Sequence, residues 1–298
     1  MKILVIGGTG FVSGTLARTA LAQGHQVWTL TRGQRPAVAG VASLQADRHD
    51  GVALASALGA AGVSWDLAVD CIGYQAADAR QDLEVLAGRV GHLVFISTDF
   101  VFDPSRRRFP QPDDSPWFTD HGYGGDKRRC EEALLAAGAG SLPWTVLRPC
   151  HIYGPGSLLG CLPRHGRDGD LVRRLRGGEP LALVGGGHFL QQPIRAADLA
   201  ELILSCVDNP AAVRQIFPAA GPDIIESREY YRLLAANLGV DLRVTEIPVG
   251  EHLAAHPEAA PFLCHRIYSL QRLAEAGLRV PATPIAVGLE QHLASLLS

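Results

Sequence analysis

Short apolar runs alternate with longer mixed stretches over the first half of the chain. Lys2–Ile6 (KILVI) is a continuous apolar run, the pattern of a strand buried on both faces. A glycine-rich turn follows, and then a helical stretch, Phe11–Ala22, that Gly24 stops. The alternation continues with strands expected at 27–30 and 43–45, a helix at 52–58, a strand at 67–69, a helix at 77–86 and a strand at 93–96. A helix at 123–136 and a strand at 145–147 extend it. Strands that alternate with helices predict a doubly wound α/β fold, a parallel sheet with helices on both faces. Beyond Arg148 the texture changes. Residues 154–169 are rich in Gly, Pro, Arg and His and read as loop. A short helix at 171–175, a strand at 181–184 and a helix at 198–207 follow. The last third predicts a helix at 228–238, a strand at 243–247 and a closing helix at 285–297. The pattern divides the chain into a nucleotide-binding domain, 1–150 with 190–208 returning to it, and a smaller, discontinuous C-terminal substrate domain, 151–189 and 209–298.

Composition narrows the function classes. Of 298 residues, 47% are hydrophobic and 19% charged, enough apolar material for an ordinary globular core. A formal charge of −3 and a pI near 6.4 argue against an extended nucleic-acid surface, which needs a basic domain. Six scattered cysteines with no CxxC pair suggest reduced thiols and a cytoplasmic protein. No cleavable signal and no membrane-length apolar run is evident.

The stretch "IGGTGFVSG" places Gly7, Gly8 and Gly10 directly after the first strand and before a helix. That context marks a dinucleotide fingerprint, because glycines let the backbone approach a pyrophosphate and the helix N-terminus supplies N–H donors. Together with the alternation it makes the fold Rossmann-type. Ser13 stands where a third glycine is usual, which predicts slightly looser helix packing and a hydroxyl able to reach a phosphate. The second strand ends "TLTRGQR". Arg32, with Arg35 close by, stands where an acid would hold both ribose hydroxyls, so NADP(H) is favoured and NAD(H) is the alternative. Asp47 in "ADRHD" suits an adenine amino group, or is an ordinary loop aspartate. Tyr123 and Lys127 lie four apart and share one helix face. An ammonium beside the phenol predicts a lowered tyrosine pKa and a base near neutral pH. "FISTDFVFD" ends an apolar strand in Ser97, Thr98 and Asp99, either turn chemistry or a reaction site at Thr98.

Taken in order, "GGTGFVSG", "ADRHD", "FISTDFVFD", Tyr123-x-x-x-Lys127, "LRPCHIYGPG" and "PIRAADLAELI" resemble the extended short-chain dehydrogenases/reductases of the NAD-dependent epimerase/dehydratase family. The resemblance runs to "AGLRVPATPIAVGLEQHL" near the C-terminus. It implies that Tyr123 is the acid/base, that Lys127 binds the nicotinamide ribose and tunes Tyr123, and that Thr98 holds the substrate oxygen. It also places Thr9, Phe11, Val12, Arg48, Cys71, Ile72, Ser97 and Pro149 along the cofactor. Asp99, Phe100, His151, Gln191 and Arg195 fall on the substrate side. Phe100 stands where dehydratases carry a proton-abstracting Glu, and "STDFVFD" is close to the matching stretch of the deoxysugar ketone reductases. Both favour net reduction of a sugar- or cyclitol-like ketone, with nucleotide-linked sugars among the candidates. An epimerase that retains its cofactor is the alternative. His151 replaces a common Asn, and Gln191 replaces an arginine that contacts diphosphate. The fourth strand ends in an aspartate, "DLAVDCIGYQ", like a branch that includes relatives of chloroplast RNA-binding proteins, so a nucleotide-binding regulator is a reading of another class. Family members often dimerise through a four-helix contact, which makes a homodimer an expectation. His252 and His256 share a helix face, but no third ligand accompanies them and no metal is expected. The loop between Asp103 and Tyr123 reads as a lid or a solvated excursion.

Overall fold

The computed structural model describes residues 1–297. Its central sheet is parallel and seven-stranded. The strands are β1 (Lys2–Ile6), β2 (Gln26–Thr31), β3 (Ala42–Gln45), β4 (Trp65–Asp70), β5 (Val90–Ile96), β6 (Trp144–Pro149) and a seventh introduced below. Helices α1 (Phe11–Ala22), α2 (Gly51–Ala60), α3 (Ala76–Val85) and α4 (Gly122–Leu135) connect them. The spatial order is β3-β2-β1-β4-β5-β6, so the winding reverses between β1 and β4. Open sheets of this kind bind ligands at that reversal, beyond the carboxyl ends of the strands.

Both faces of the sheet are apolar because its strands are buried on both sides. Ile3, Val5 and Leu147 face one layer with Leu16 of α1, whereas Leu4, Ile6 and Phe95 face the other with Leu54, Ala79 and Leu134. A third core, built on Tyr153, Leu171, Tyr230, Tyr231 and Leu289, belongs to the smaller unit.

That unit and its returns contain β7 (Ile152–Tyr153), α5 (Leu171–Arg176), β8 (Leu181–Val184), β9 (Leu190–Gln191), β10 (Ile194–Arg195), α6 (Ala196–Leu204), β11 (Gln215–Ala219), β12 (Ile225–Glu226), α7 (Ser227–Asn237), β13 (Val244–Ile247), α8 (Val249–Ala255), α9 (Gln271–Glu275) and α10 (Ile285–Leu297). Two segments expected in the smaller domain lie elsewhere. β11 is the edge strand of the central sheet, paired in parallel with β6. Its short run is interrupted by Pro218, which an edge strand tolerates because one side of its backbone needs no donor. Tyr268, Leu273 and Leu278 likewise pack into the core of the large sheet.

The loop between β5 and α4 is pinned down. Arg107 donates to the Tyr268 hydroxyl at 2.6 Å, the Gln111 amide donates to the Ile267 carbonyl at 2.7 Å, and Phe118 stacks on Phe102. All six cysteines are free. Among the described residues no helix is long and apolar enough to cross a membrane.

Candidate active site

A cleft of about 500 Å³ opens beyond the carboxyl ends of β1 to β4. Its floor is the glycine turn. Gly7 and Gly8 have φ of 117° and 95°, values that side-chain-bearing residues rarely adopt. Gly10 precedes α1 and has no side chain to cap the helix, so the first-turn N–H groups find no side-chain acceptor at that position. Such an end suits an anionic group. The Ser13 hydroxyl accepts the Gly10 N–H at 3.1 Å and is thereby tied into the helix start. Arg32, Arg35 and Asp47 line the same cleft and are exposed. The Asp47 carboxylate accepts the His49 amide at 3.0 Å, a local turn.

Arg48, expected along the cofactor, lines the cleft with its charged end buried. Its guanidinium turns inward and donates to Asp70 at 2.7 Å and to Asp82 at 3.1 Å. A buried charge seeks counter-charges before it faces a ligand. Ile72 and Tyr74 also line the cleft, and the Ile72 amide donates to Asp70 at 2.8 Å. The Cys71 amide donates to the Ile6 carbonyl at 3.1 Å, and burial pushes its thiol pKa up.

Thr98, Tyr123 and Lys127 gather at the end of β5 and the start of α4. Gly124 permits this approach, since a Cβ there would strike the Phe100 carbonyl. The Thr98 Oγ1 accepts the Phe100 amide at 3.2 Å, and its hydroxyl is felt at the Tyr123 phenol. The Tyr123 ring is half-exposed and lies 6.3 Å from Phe100 and 6.4 Å from Tyr74. Its pKa is pushed up to about 12, by burial first and by Tyr74 second, while the Thr98 hydroxyl opposes the rise. The expected lowering by Lys127 is therefore absent. The Lys127 ammonium is buried and donates to the Gly73 and Ile96 carbonyls, both at 2.7 Å. Burial lowers its pKa, and Asp70 opposes that effect. Beneath it, Ser97 donates to Glu131 at 2.6 Å, and Arg148 holds the same carboxylate at 2.9 and 2.7 Å. The Ser97 side chain thus braces α4. Pro149 is buried at the end of β6.

On the substrate side Asp99 corrects an expectation. Its carboxylate is buried, bound by Arg266 and by the Tyr268 hydroxyl at 2.6 Å, with Arg107 at 3.6 Å. Arg266 and Tyr268 lie over 160 positions away, and no local motif points to them. Arg266 also lies 4.1 Å from the Phe100 ring centroid, and Phe262 packs edge-on to Phe100 at 5.4 Å. His151 is held neutral. Burial, then the charges of Arg167 and Arg266, lower its pKa to about 4. Arg167 extends over Phe11 at the start of α1, 5.7 Å from its ring. Gln191 is fully buried, and neither end of its amide has a partner. Arg195 is partly buried. It lies 3.9 Å from Asp198 at the start of α6, and its charge is felt at Tyr153. Among the described residues no group of three or more His, Cys, Asp or Glu is placed to hold a metal.

The profile of the NAD dependent epimerase/dehydratase family matches residues 3–220. The chain belongs to that family. This epimerase/dehydratase-family protein is 28% identical over 235 residues to the chloroplast stem-loop binding protein of 41 kDa b of Arabidopsis thaliana, covering 74% of the chain and 58% of that relative. It is 31% identical over 205 residues to a 2-alkyl-3-oxoalkanoate reductase of Stenotrophomonas maltophilia, covering 63% and 59%. The chain therefore spans about three-fifths of the length of these two relatives. A dTDP-4-dehydrorhamnose reductase of Mycolicibacterium smegmatis is 27% identical over 296 residues, 93% of the chain and 80% of the relative. Among solved structures, the UDP-glucose 4-epimerase of Thermotoga maritima superposes over 100% of this chain and 99% of its own, with a TM-score of 0.78 at 18% identity. At that identity the likeness concerns the fold.

Proposed function

We propose that this protein is an NAD(P)-dependent oxidoreductase that reduces a ketone of a sugar- or cyclitol-like substrate, with nucleotide-linked sugars among the candidates. The observation that carries the reading is that Thr98, just beyond β5, and Tyr123, at the start of α4, come together beside a glycine-turn cleft, with Lys127 one helical turn along α4. The residues present fit a dinucleotide: the uncapped start of α1 suits the pyrophosphate, Arg32 suits a 2′-phosphate, and the Lys127 ammonium suits ribose hydroxyls. When bound, the dinucleotide supplies or accepts a hydride at the substrate carbon. Arg32 supports NADP(H) over NAD(H).

The protein's own part is positional and acid–base. Thr98 and Tyr123 hold the substrate oxygen between two hydroxyls. With its pKa at about 12, the Tyr123 phenol is protonated at neutral pH and donates its proton to the oxygen as the carbonyl is reduced. Phe100 offers no proton-abstracting group beside it, which counts against dehydration by that route. The Arg167 charge, felt at Tyr123 and His151, favours a substrate with an anionic group.

The test is cofactor consumption with a panel of keto sugars and inosose-type ketones, wild type against Tyr123→Phe. Stoichiometric NADPH loss that the variant abolishes supports the reductase. Interconversion of sugars without net cofactor loss would favour the epimerase instead. The name of the Arabidopsis relative keeps nucleic-acid binding as a second reading. RNA binding that weakens steeply with salt would favour it.

A further inference from the structure

A buried charge cluster lies beneath the cleft, outside the proton transfer described above. Arg48 is 4% exposed and faces three carboxylates. Besides Asp70 and Asp82, it donates to the Asp78 carbonyl at 3.1 Å and lies 3.4 Å from the Asp78 carboxylate. One guanidinium cannot neutralise three carboxylates in an apolar setting. Burial and the Asp70 charge push Asp82 well above the usual carboxylate range. Burial pushes Asp70 up as well, but the Arg48 charge and hydrogen bond, the Asp82 carboxyl and the Lys127 charge together hold Asp70 below its ordinary value.

Two of these carboxylates grip the loop that follows β4. Asp70 accepts the Ile72 amide at 2.8 Å. Asp78 accepts the Tyr74 and Gln75 amides at 2.8 and 3.0 Å. Between those grips lies the Gly73 carbonyl, which takes the Lys127 ammonium at 2.7 Å. Arg48 itself comes from the loop after β3, so it ties one wall of the cleft to the other.

We propose that Arg48 is a positioning residue for Lys127: by anchoring Asp70 and Asp78 it fixes the Gly73 carbonyl, and so fixes where the ammonium sits. Its consequence for cofactor binding rests on the dinucleotide reading. The placement of Lys127 does not.

The sequence makes this testable, because Lys2 and Lys127 are its only lysines. Lysine-selective 13Cε labelling therefore gives two side-chain NMR signals, one of them from the exposed Lys2. In Arg48→Met the Lys127 signal is expected to shift and broaden while the Lys2 signal stays. NADPH affinity should fall about tenfold, roughly the loss of one charge-assisted hydrogen bond. In a double-mutant cycle, Arg48→Met should add no further loss on top of Lys127→Met. If Arg48→Met does not fold, Asp78→Ala, which releases the Tyr74 and Gln75 amides, should move the same signal. An unmoved Lys127 signal in a folded variant, or affinity losses that multiply in the cycle, would overturn the inference. Failure of the wild type to bind either NADPH or NADH would overturn the dinucleotide reading instead, and the NMR signal would still decide the role of Arg48.

Discussion

The Thr98 hydroxyl accepts the amide of Phe100 at 3.2 Å, which leaves its own hydrogen free to be donated at the site. The turn that ends β5 and the placement of the Thr98 hydroxyl are thus one arrangement. Ser, Thr and Asp close the strand as turn residues, and the same turn aims Thr98. Lys127 is held separately: two of its three ammonium donors go to the Gly73 and Ile96 carbonyls.

Replacement of Tyr123 by Phe should lower kcat by about 10²- to 10⁴-fold, the usual contribution of a placed general acid. Cofactor affinity should change by less than about twofold, since the phenol acts on the substrate oxygen in this account. Steady-state rates beside fluorescence titration separate the two effects.

The phenol itself should stay protonated well above neutral pH in the free protein. An ultraviolet difference titration of wild type against Tyr123→Phe should show no Tyr123 phenolate below about pH 10, because the group titrates at about 12. A phenolate that forms near neutral pH without cofactor would show that Lys127 tunes Tyr123 after all.

His92 should make the fold acid-sensitive. Its ring is buried and bonded to Thr145 at 2.8 Å, and burial lowers its pKa from 6.5 to about 4. The unfolded chain binds a proton there that the folded chain refuses. The stabilisation is therefore complete above about pH 6.5 and is lost as pH falls towards about 4. At pH 5 the loss amounts to about 2 kcal/mol for this group. Urea unfolding at pH 7.5 and pH 5 should show that difference shrink in His92→Gln.

Asp99 should matter to stability before it matters to substrate. Replacing it by Ala leaves Arg266, Arg107 and the Tyr268 hydroxyl without their shared acceptor, at a cost of about 3–5 kcal/mol. Thermal melts should fall accordingly. Unchanged melts with a raised KM would restore the substrate role first expected of it.

Gly124→Ala should act on both stability and catalysis. The added Cβ meets the Phe100 carbonyl and has no flexible side chain to push aside. The turn carrying Thr98 and the helix carrying Tyr123 must separate, so kcat and the melting temperature should fall together, whereas Gly138→Ala, with open space around it, should leave both near wild type.

What could be read from the chain was what neighbouring residues encode. The run KILVI, the glycine turn after it and the spacing of Tyr123 and Lys127 are local, and the structure places each on the strand, turn or helix expected. Side-chain direction was not legible. Arg48 turns inward because Asp70 and Asp82 await it, 22 and 34 positions along the chain. Asp99 is claimed by Arg266, 167 positions away. β11 was missed because a five-residue run with Pro218 carries little strand signal until β6 is seen beside it. The ammonium of Lys127 was expected to tune Tyr123 because helical spacing places both on one face, but spacing does not say which carbonyls lie within reach.

The central claim is that the cleft binds a phosphorylated dinucleotide for reduction beside Tyr123. It is tested most directly by titrating wild type and Arg32→Ala with NADPH and NADH, following fluorescence. The account predicts tighter binding of NADPH by the wild type, and loss of that preference, about tenfold or more, when the guanidinium is removed. Equal or tighter binding of NADH, unaffected by Arg32→Ala, would contradict the NADP(H) assignment, and no binding of either nucleotide would contradict the account as a whole.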